Sequence, residues 1–587
     1  WASMLVAATP GSFALSRLLA ARLHCARFAR RCSMCALPDA AARKRKRMDV
    51  EIRDTVKLSA EEEKIFDRLL AVERHFGLGT QLRVAGGWVR DKLLGKDCYD
   101  IDIALDNMLG RDFCEKVNEY LKSIGEETKN VGVILSNPDQ SKHLETARMK
   151  IEDVWVDFVN LRAETYADDS RIPSTMEFGT PKQDAERRDL TINSLFYNIN
   201  TGHVEDHTDR GKCLRDLKVG VIATPLEPHV TFLDDPLRVL RSVRFASRFG
   251  FELEDDLRAA ASTGEVRDAL ERKISRERIG HEVELMLLGN DPTQAMELLL
   301  DLKLFRSVFT PPAPLLVDGW ERLCVQHIHA AWDVLQLVNV NLTVSSINFK
   351  QLNWQAEHKL KFLLAALLFP LQDSTYEGKK RKKASSYAQI TLQFPSTSFI
   401  IRESLKLKNA DADGVVDLHR SARKFDRLED VLLSDAAEAI TTHAAADTRE
   451  EVQRLEAGDA FAWVCSSCAE DRIFVGLELM EIKDLWRAAL VLSSLNDLLE
   501  NQAWDAQEKA KVCTSVMDFI SKQGLDESWN TKPLLDGKEI MAEFQLKGGP
   551  AVKDLKDLSI QWQLAHPTGT AGECREWLKL EHAKGNK

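Results

Sequence analysis

The sequence predicts an α+β chain, a head built on a mixed sheet followed by a long helical remainder. Three observations predict it. At 587 residues the chain is too long for one compact core, and two to four domains are expected. Short runs of strand character crowd into residues 81–161, interleaved with helical turns. From about residue 185 the pattern turns helical and stays so almost to the end.

In chain order, the first 47 residues stand apart. They carry ten Lys/Arg against one acid, Asp39, and are rich in Ala, Ser and Leu, the composition of an organelle transit peptide. Met48 follows RKRKR (43–47), so a second start there would give a form without the leader, and the basic pentamer also suits a nuclear signal. The expected address is therefore a mitochondrion, or a plastid, with cytosolic and nuclear forms from Met48. A disordered basic tail is the plain alternative. Subtracting the leader's +9 from the formal −11 leaves −20 for residues 48–587. So acidic a body does not bind nucleic acid by bulk charge, and any RNA contact must use local basic patches.

A helix is expected near Ser59, where S-A-E-E forms a capping box ahead of Ile65, Phe66, Leu69 and Leu70. QLRVA (81–85) reads as a strand, Gly86-Gly87 as a turn and WVRDKLL as a helical turn. YDIDIAL (99–105), VGVILS (131–136) and VWVDFVNL (154–161) read as strands. Residues 163–183 have little periodicity and several breakers, so a mobile loop is expected there. GKKRKKASS (378–386) reads as a solvated basic loop rather than an RNA contact, and residues 531–575 as a separate C-terminal module. The longest apolar run, 361–371, is stopped by Pro370 and is too short to cross a bilayer. Eleven cysteines include two CxxC pairs, Cys32/Cys35 and Cys465/Cys468, read as thiols rather than a shared zinc site.

Three constellations carry chemistry. On a strand, Asp100 and Asp102 face one side, with Cα atoms roughly 6–7 Å apart. Such a pair can hold two Mg²⁺ ions, the arrangement of in-line phosphoryl transfer, although a lone D-x-D is also ordinary surface decoration. Just upstream, Gly86-Gly87 would let backbone N–H groups approach a triphosphate, with Arg90 neutralising phosphate and Asp91 orienting it. Asp157 is either a third carboxylate or a solvent-facing acid on an alternating strand. In ERRDLTINSLFYNI (186–199), read as a helix, Asp189 and Asn193 share a face; Arg187 and Arg188 suit phosphate, Asp189 and Asn193 ribose hydroxyls. The plain alternative is a helix end dressed with charges.

In DDPLRVLRSVRFASRFGF (234–251), Pro236 suits a first helical turn, with Asp234 and Asp235 at its positive end and Arg238, Arg241 and Arg244 every three residues along one stripe. An Asp-plus-Arg pair accepts from an exocyclic amine and donates to a ring nitrogen. Asp235 and Arg238 would therefore take cytosine and adenine and refuse uracil and guanine, with Arg241 and Arg244 left for phosphate. KISRERIGHE (273–282) is expected to buttress these helices.

GGWVRD…DID, RRDLTIN, DDPLRVLRSVRF and ISRERIGHE, in that order, resemble the class II tRNA nucleotidyltransferases, the CCA-adding enzymes of the DNA polymerase β-like nucleotidyltransferase superfamily. The motifs cover residues 81–289, and the ending PLLDGKEI…GGP…IQWQLAHPTGT is similar to the tails of fungal and plant members. No HD phosphohydrolase motif is visible. After the leader (1–47), the resemblance implies a polymerase-β-like catalytic head (48–215), a neck with the nucleotide-template helix (216–290), and an all-helical body (291–470) and tail (471–587) for tRNA. It implies Mg²⁺ on Asp100 and Asp102, with Arg90 in the catalytic set. Gly86, Gly87, Arg187, Arg188, Asp189 and Asn193 would hold the nucleotide. Asp235 and Arg238 would be the amino-acid template, and 163–183 the loop that helps switch from C to A. The partners implied are the tRNA 3′ end, CTP and ATP, with no membrane and a monomer as the expected state. Most members begin the template motif with Glu where this chain has Asp234, which leaves that first acid's role open. Three other readings share parts of this pattern: a poly(A) polymerase, an enzyme stopping after two cytidines, and a tRNA-binding scaffold without activity.

Overall fold

The computed structural model describes residues 52–53, 55–134, 146–166, 173–312, 319–344, 355–381, 389–425, 469–500 and 504–585, all within one compact unit, Asp49–Lys587. The basic leader, Met48, both CxxC pairs, residues 167–172 of the expected loop and 382–386 of the basic run lie outside the described residues.

The strands of the head are β1 (Arg83–Ala85), β2 (Ile101–Leu105), β3 (Val131–Ile134), β4 (Thr146–Ile151), β5 (Val154–Asn160), β6 (Arg162–Tyr166), β7 (Pro173–Phe178), β8 (Phe196–Asn198) and β9 (His203–Glu205). Seven of them form one sheet in the order β3-β4-β5-β2-β1-β8-β9, and β6 pairs with β7 apart from it. In the large sheet only β2 and β5 run parallel; every other neighbouring pair is antiparallel, so the sheet is mixed. A parallel pair needs a crossover, which helix Gly110–Ser123 and the β3–β4 hairpin supply. That helix buries Phe113, Cys114, Val117 and Leu121 against the sheet. It sits so close that a Cβ on Gly110 would lie 2.6 Å from the Phe158 carbonyl oxygen.

The helix expected at Ser59 spans Ala60–Phe76 and has the capping box: the Glu62 amide donates to Ser59 Oγ, and the Ser59 amide to Glu62 Oε2. Glu62 also accepts from Trp88 Nε1 at 3.0 Å and Lys92 Nζ at 2.7 Å. One carboxylate thus caps one helix and anchors the next, Gly87–Leu93, the helix that follows the Gly-Gly turn.

Four expectations are corrected. β2 begins at Ile101, so Asp100 immediately precedes the strand. The described residues of 163–183 are not an irregular loop but the β6–β7 ribbon followed by helix Pro181–Glu186. This two-stranded sheet stands apart from the main one, so no shared core face imposes a regular apolar alternation on it. Residues 186–199 do not form a helix: Thr191–Asn193 make a single 3₁₀ turn and Phe196–Asn198 pair with β1. All three residues of β8 are buried, and a run buried on both sides cannot be told from a buried helix by periodicity. Finally, the remainder is not wholly helical. A strand pair, Val221–Ile222 with Glu252–Leu253, and a hairpin, Thr375–Arg381 with Gln389–Pro395, interrupt it. The hairpin takes Gly378–Arg381 out of the basic loop.

The remaining chain packs as helices, among them Pro228–Asp234, Leu237–Phe249, Arg276–Leu287 and the long Trp320–Val344. A small second core of Leu535, Ile540, Leu555, Trp562, Cys574 and Leu578 lies within residues 534–578. No helix among the described residues is long and apolar enough to cross a membrane.

Gly110→Ala should push helix Gly110–Ser123 off β5, where no flexible side chain is available to yield. Overpacking of this kind costs about 1–3 kcal/mol, so the variant should melt at a lower temperature. An unchanged melting curve would contradict the close approach.

Candidate active site

Asp102 and Asp157 are direct partners across the parallel β2–β5 pair, and Asp100 lies two residues before Asp102. One carboxylate oxygen from each of the three lies within 4.8 Å of the others. Asp157 is therefore a third member of the cluster. The alternating strand pattern gave only its outward direction; β5's place beside β2 shows what it faces.

The electrostatics follow from this crowding. Burial first, then the neighbouring Asp100 and Asp157, push the Asp102 carboxyl up to about 6, with Arg188 and Arg162 pulling the other way. Burial also raises Asp157, against the pull of Arg148. Arg148 Nε sits 3.1 Å from Asp157 Oδ1, yet that buried oxygen has no hydrogen-bond partner, because the approach lacks the angle of a hydrogen bond. Converging carboxylates with an unsatisfied buried oxygen and no imidazole or thiol in the set fit a hard divalent cation.

Beside the cluster lies the Gly86-Gly87 turn. Gly86 has φ +74°, and a Cβ there would meet Arg188 Nη1 at 2.7 Å, so both backbone and packing call for glycine. Its amide donates to the Leu195 carbonyl, tying the turn to the chain just before β8. Arg90, expected to face phosphate, is instead only 4% exposed and turned inward. Its guanidinium donates through Nε and Nη2 to Asp91 at 2.8 and 3.0 Å and through Nη1 to Asn193 Oδ1. It also lies about 5 Å from the ring centres of Phe245 and Phe249, on helix Leu237–Phe249.

Arg187 and Arg188 converge on Asp184, a residue the sequence did not single out. Arg187 donates from Nε and Nη2 at 2.8 and 2.6 Å to one oxygen, and Arg188 from Nε and Nη2 at 3.0 and 2.9 Å to the other. Burial pushes Asp184 up, but Arg188 and Arg187 outweigh it and hold the carboxyl at about 2. Arg187 also reaches Glu164 on β6 at 3.0 Å. Asp189 and Asn193 do meet, with Asn193 Nδ2 donating to Asp189 Oδ1 at 3.1 Å, but across the 3₁₀ turn rather than down a helix face.

Helix Leu237–Phe249 has Pro236 as its N-cap and Asp234 ends the preceding helix, so of the two acids only Asp235 reaches the new helix's first amide, accepting from Leu237 at 3.3 Å. Asp235 also pairs with Arg278 at 3.3 Å, and Arg238 Nη2 donates to the Arg187 carbonyl at 2.7 Å. Arg241 Nε donates to Asp189 and Arg244 Nε to Glu282, each at 2.7 Å. Desolvation pushes the largely covered Asp189 carboxyl up, but Arg241, Asn193 and Arg238 hold it at about 2. The stripe is thus engaged by acids and a carbonyl. The expected buttress is present, since Arg278 and Glu282 both belong to it. Arg162, also unforeseen, has a buried Nε without a hydrogen-bond partner.

Two family models match the chain: residues 82–223 match the poly A polymerase head domain, and 250–316 a probable RNA and SrmB-binding site of polymerase A. The chain is 33% identical to tRNA nucleotidyltransferase cca2 of Schizosaccharomyces pombe, covering 85% of this chain and 92% of that one. It is 34% identical to the mitochondrial CCA tRNA nucleotidyltransferase of Saccharomyces cerevisiae, over 85% and 87%. In fold it is similar to the Bacillus stearothermophilus CCA-adding enzyme solved with CTP, with a TM-score of 0.52 at 17% identity over 90% of this chain and 99% of that one.

Asp184 sets a pH test. Its folded pKa is depressed, so its stabilisation is fully present above about pH 4 and is lost as pH falls toward 2. Asp184→Asn should cost roughly 2 kcal/mol or more at pH 7. The gap in melting temperature between variant and wild type should narrow as pH is lowered through 4; a gap independent of pH would refute the assignment.

Proposed function

The chain belongs to the CCA-adding tRNA nucleotidyltransferases, and from that premise we propose how its residues divide the work of adding C, C and A to tRNA 3′ ends from CTP and ATP without a nucleic-acid template. In each addition the terminal 3′-hydroxyl gives up its proton to solvent and its oxygen bonds to the α-phosphorus as the bond to pyrophosphate breaks. The observation that carries the reading is the convergence of Asp100, Asp102 and Asp157 within 4.8 Å on one face of the sheet. These three would hold Mg²⁺, which when bound would offset the charge of the triphosphate and make the 3′-hydroxyl easier to deprotonate.

The other residues bind and orient. The Gly86-Gly87 turn lets the backbone approach the triphosphate, and Arg188, packed over it, offers positive charge beside the acids. Arg187 supports Arg188 by sharing Asp184. Asp189 and Asn193 receive the ribose, and Arg90 is a positioning residue that holds Asn193. Asp235 and Arg238 read the base: a carboxylate has about four acceptor sites, so Asp235 can still accept from an amine while Arg278 and the Leu237 amide fix it. Arg241 and Arg244 act through Asp189 and Glu282. For localisation we take the mitochondrion, named for the relatives in S. cerevisiae and Candida glabrata, with the basic leader as import signal and Met48 as the start of cytosolic or nuclear forms.

The test is direct. Purified protein is incubated with tRNA lacking its 3′ end, Mg²⁺, and CTP and ATP singly and together, and the 3′ ends are sequenced. CTP alone should give two cytidines and the mixture CCA. A long A tail, a halt at CC, or no incorporation would each overturn the reading.

Two variants separate the roles. Asp100→Ala should lower the rate by at least about 10²-fold, and incorporation at the wild-type rate would sink the carboxylate assignment. Arg238→Ala should narrow the preference for CTP over UTP by about tenfold or more. Unchanged selectivity would remove Arg238 from base reading.

A further inference from the structure

Outside the groups already assigned, the sheet face that carries the carboxylates bears an aromatic-cationic patch. Trp155 lies two residues before Asp157 on β5, so both side chains leave the same face, roughly 6–7 Å apart. Its cross-strand partner on β4 is Lys150, and Asp157's is Arg148. Arg148 and Lys150 are therefore on this face too, and both are exposed. Trp155 is 46% exposed, so part of its indole is open to a flat partner. Arg148 Cζ lies 5.2 Å and Lys150 Nζ 5.5 Å from the ring centre.

We infer that Trp155, with Lys150 and Arg148, is a stacking platform for the single-stranded 3′ end of the tRNA. The inference rests on the proposed reaction, which brings the 3′-hydroxyl to Asp100, Asp102 and Asp157. One strand step from those acids is about one nucleotide step. The last or penultimate base of the primer therefore falls at the ring, and its phosphate at the two cations. Stacking suits this task because every base has a flat face, so one platform serves the primer after each of the three additions, whatever base ends it. The cations also supply local positive charge on a body whose net charge is strongly negative. The platform is distinct from the Asp235/Arg238 pair: it holds the strand being extended rather than the incoming base.

The experiment compares full-length wild type, Trp155→Ala, Trp155→Phe and Lys150→Ala in steady-state addition to tRNA lacking its 3′ end, varying tRNA and CTP separately. Trp155→Ala should raise KM for tRNA about tenfold and leave KM for CTP within about twofold; Trp155→Phe should recover most of the loss. Lys150→Ala should raise KM for tRNA and flatten its dependence on salt. The melting temperature should stay at the wild-type value in all three. An unchanged KM for tRNA, a matching rise in KM for CTP, or a loss explained by a lower melting temperature would each overturn the platform. Wild-type protein that adds no nucleotide would overturn the reaction itself, a result the variants cannot mimic.

Discussion

Mutual repulsion among Asp100, Asp102 and Asp157 is the constraint around which the head is organised. Burial of Asp102 is the largest cost to its charge, and Asp100 and Asp157, all three within 4.8 Å, add to it. The surroundings offset this in two ways. Arg188 and Arg162 supply opposing charge to Asp102, and Arg148 to Asp157. The backbone beneath is made rigid: Gly110 lets a helix press directly on the Phe158 carbonyl, and parallel pairing fixes Asp102 opposite Asp157. A loose sheet would let the acids drift apart; this one holds them together.

The same arginines connect the acids to the helix proposed to read the base. Arg188 shares Asp184 with Arg187, and the Arg187 carbonyl accepts from Arg238. In parallel, Asn193 is held by Arg90, while Asp189 receives Arg241 from helix Leu237–Phe249. Buried pairs such as Asp184 with its two arginines are weak evidence for net stability, since desolvation consumes much of the attraction. Their clearer effect is directional. Each guanidinium has a fork of donors, and engaging two or more of them leaves few orientations open.

The head and the start of the helical remainder were legible in the sequence where one face of an element is buried and the other wet. The capping box at Ser59, the strands around Asp102 and Asp157, and the helix carrying Arg238, Arg241 and Arg244 follow from local pattern alone. The 186–199 segment was not legible, because β8 is buried on both sides and loses its alternation. Nor was the β6–β7 ribbon, which stands apart from the main sheet. For the site, residue types pointed to the cluster, but partnership did not follow from spacing. Arg90 looks phosphate-bound beside Gly86-Gly87, yet Phe245 and Phe249, some 150 residues later, provide the surface that turns it inward. Asp184 lacked any signal of its own, since its importance lies in two arginines folding back upon it.

A protein that reads a base with side chains faces a problem that a nucleic-acid template does not. Cytosine and uracil differ at the reading edge by exchange of donor for acceptor, so an Asp/Arg pair free to swap positions would accept both. Discrimination then depends less on having the two residues than on preventing them from turning. Asp235 is held from two sides, by Arg278 of helix Arg276–Leu287 and by the Leu237 amide that opens the next helix. Arg238 is buried, and its Nη2 is fixed to a backbone carbonyl, which cannot rotate away as a side chain would. In the proposed template, selectivity therefore resides as much in Arg278 and the course of the chain at Arg187 as in the pair itself. Polar groups left unpaired against uracil cost far more than a hydrogen bond to cytosine contributes, but only if the site cannot relax to meet the wrong base.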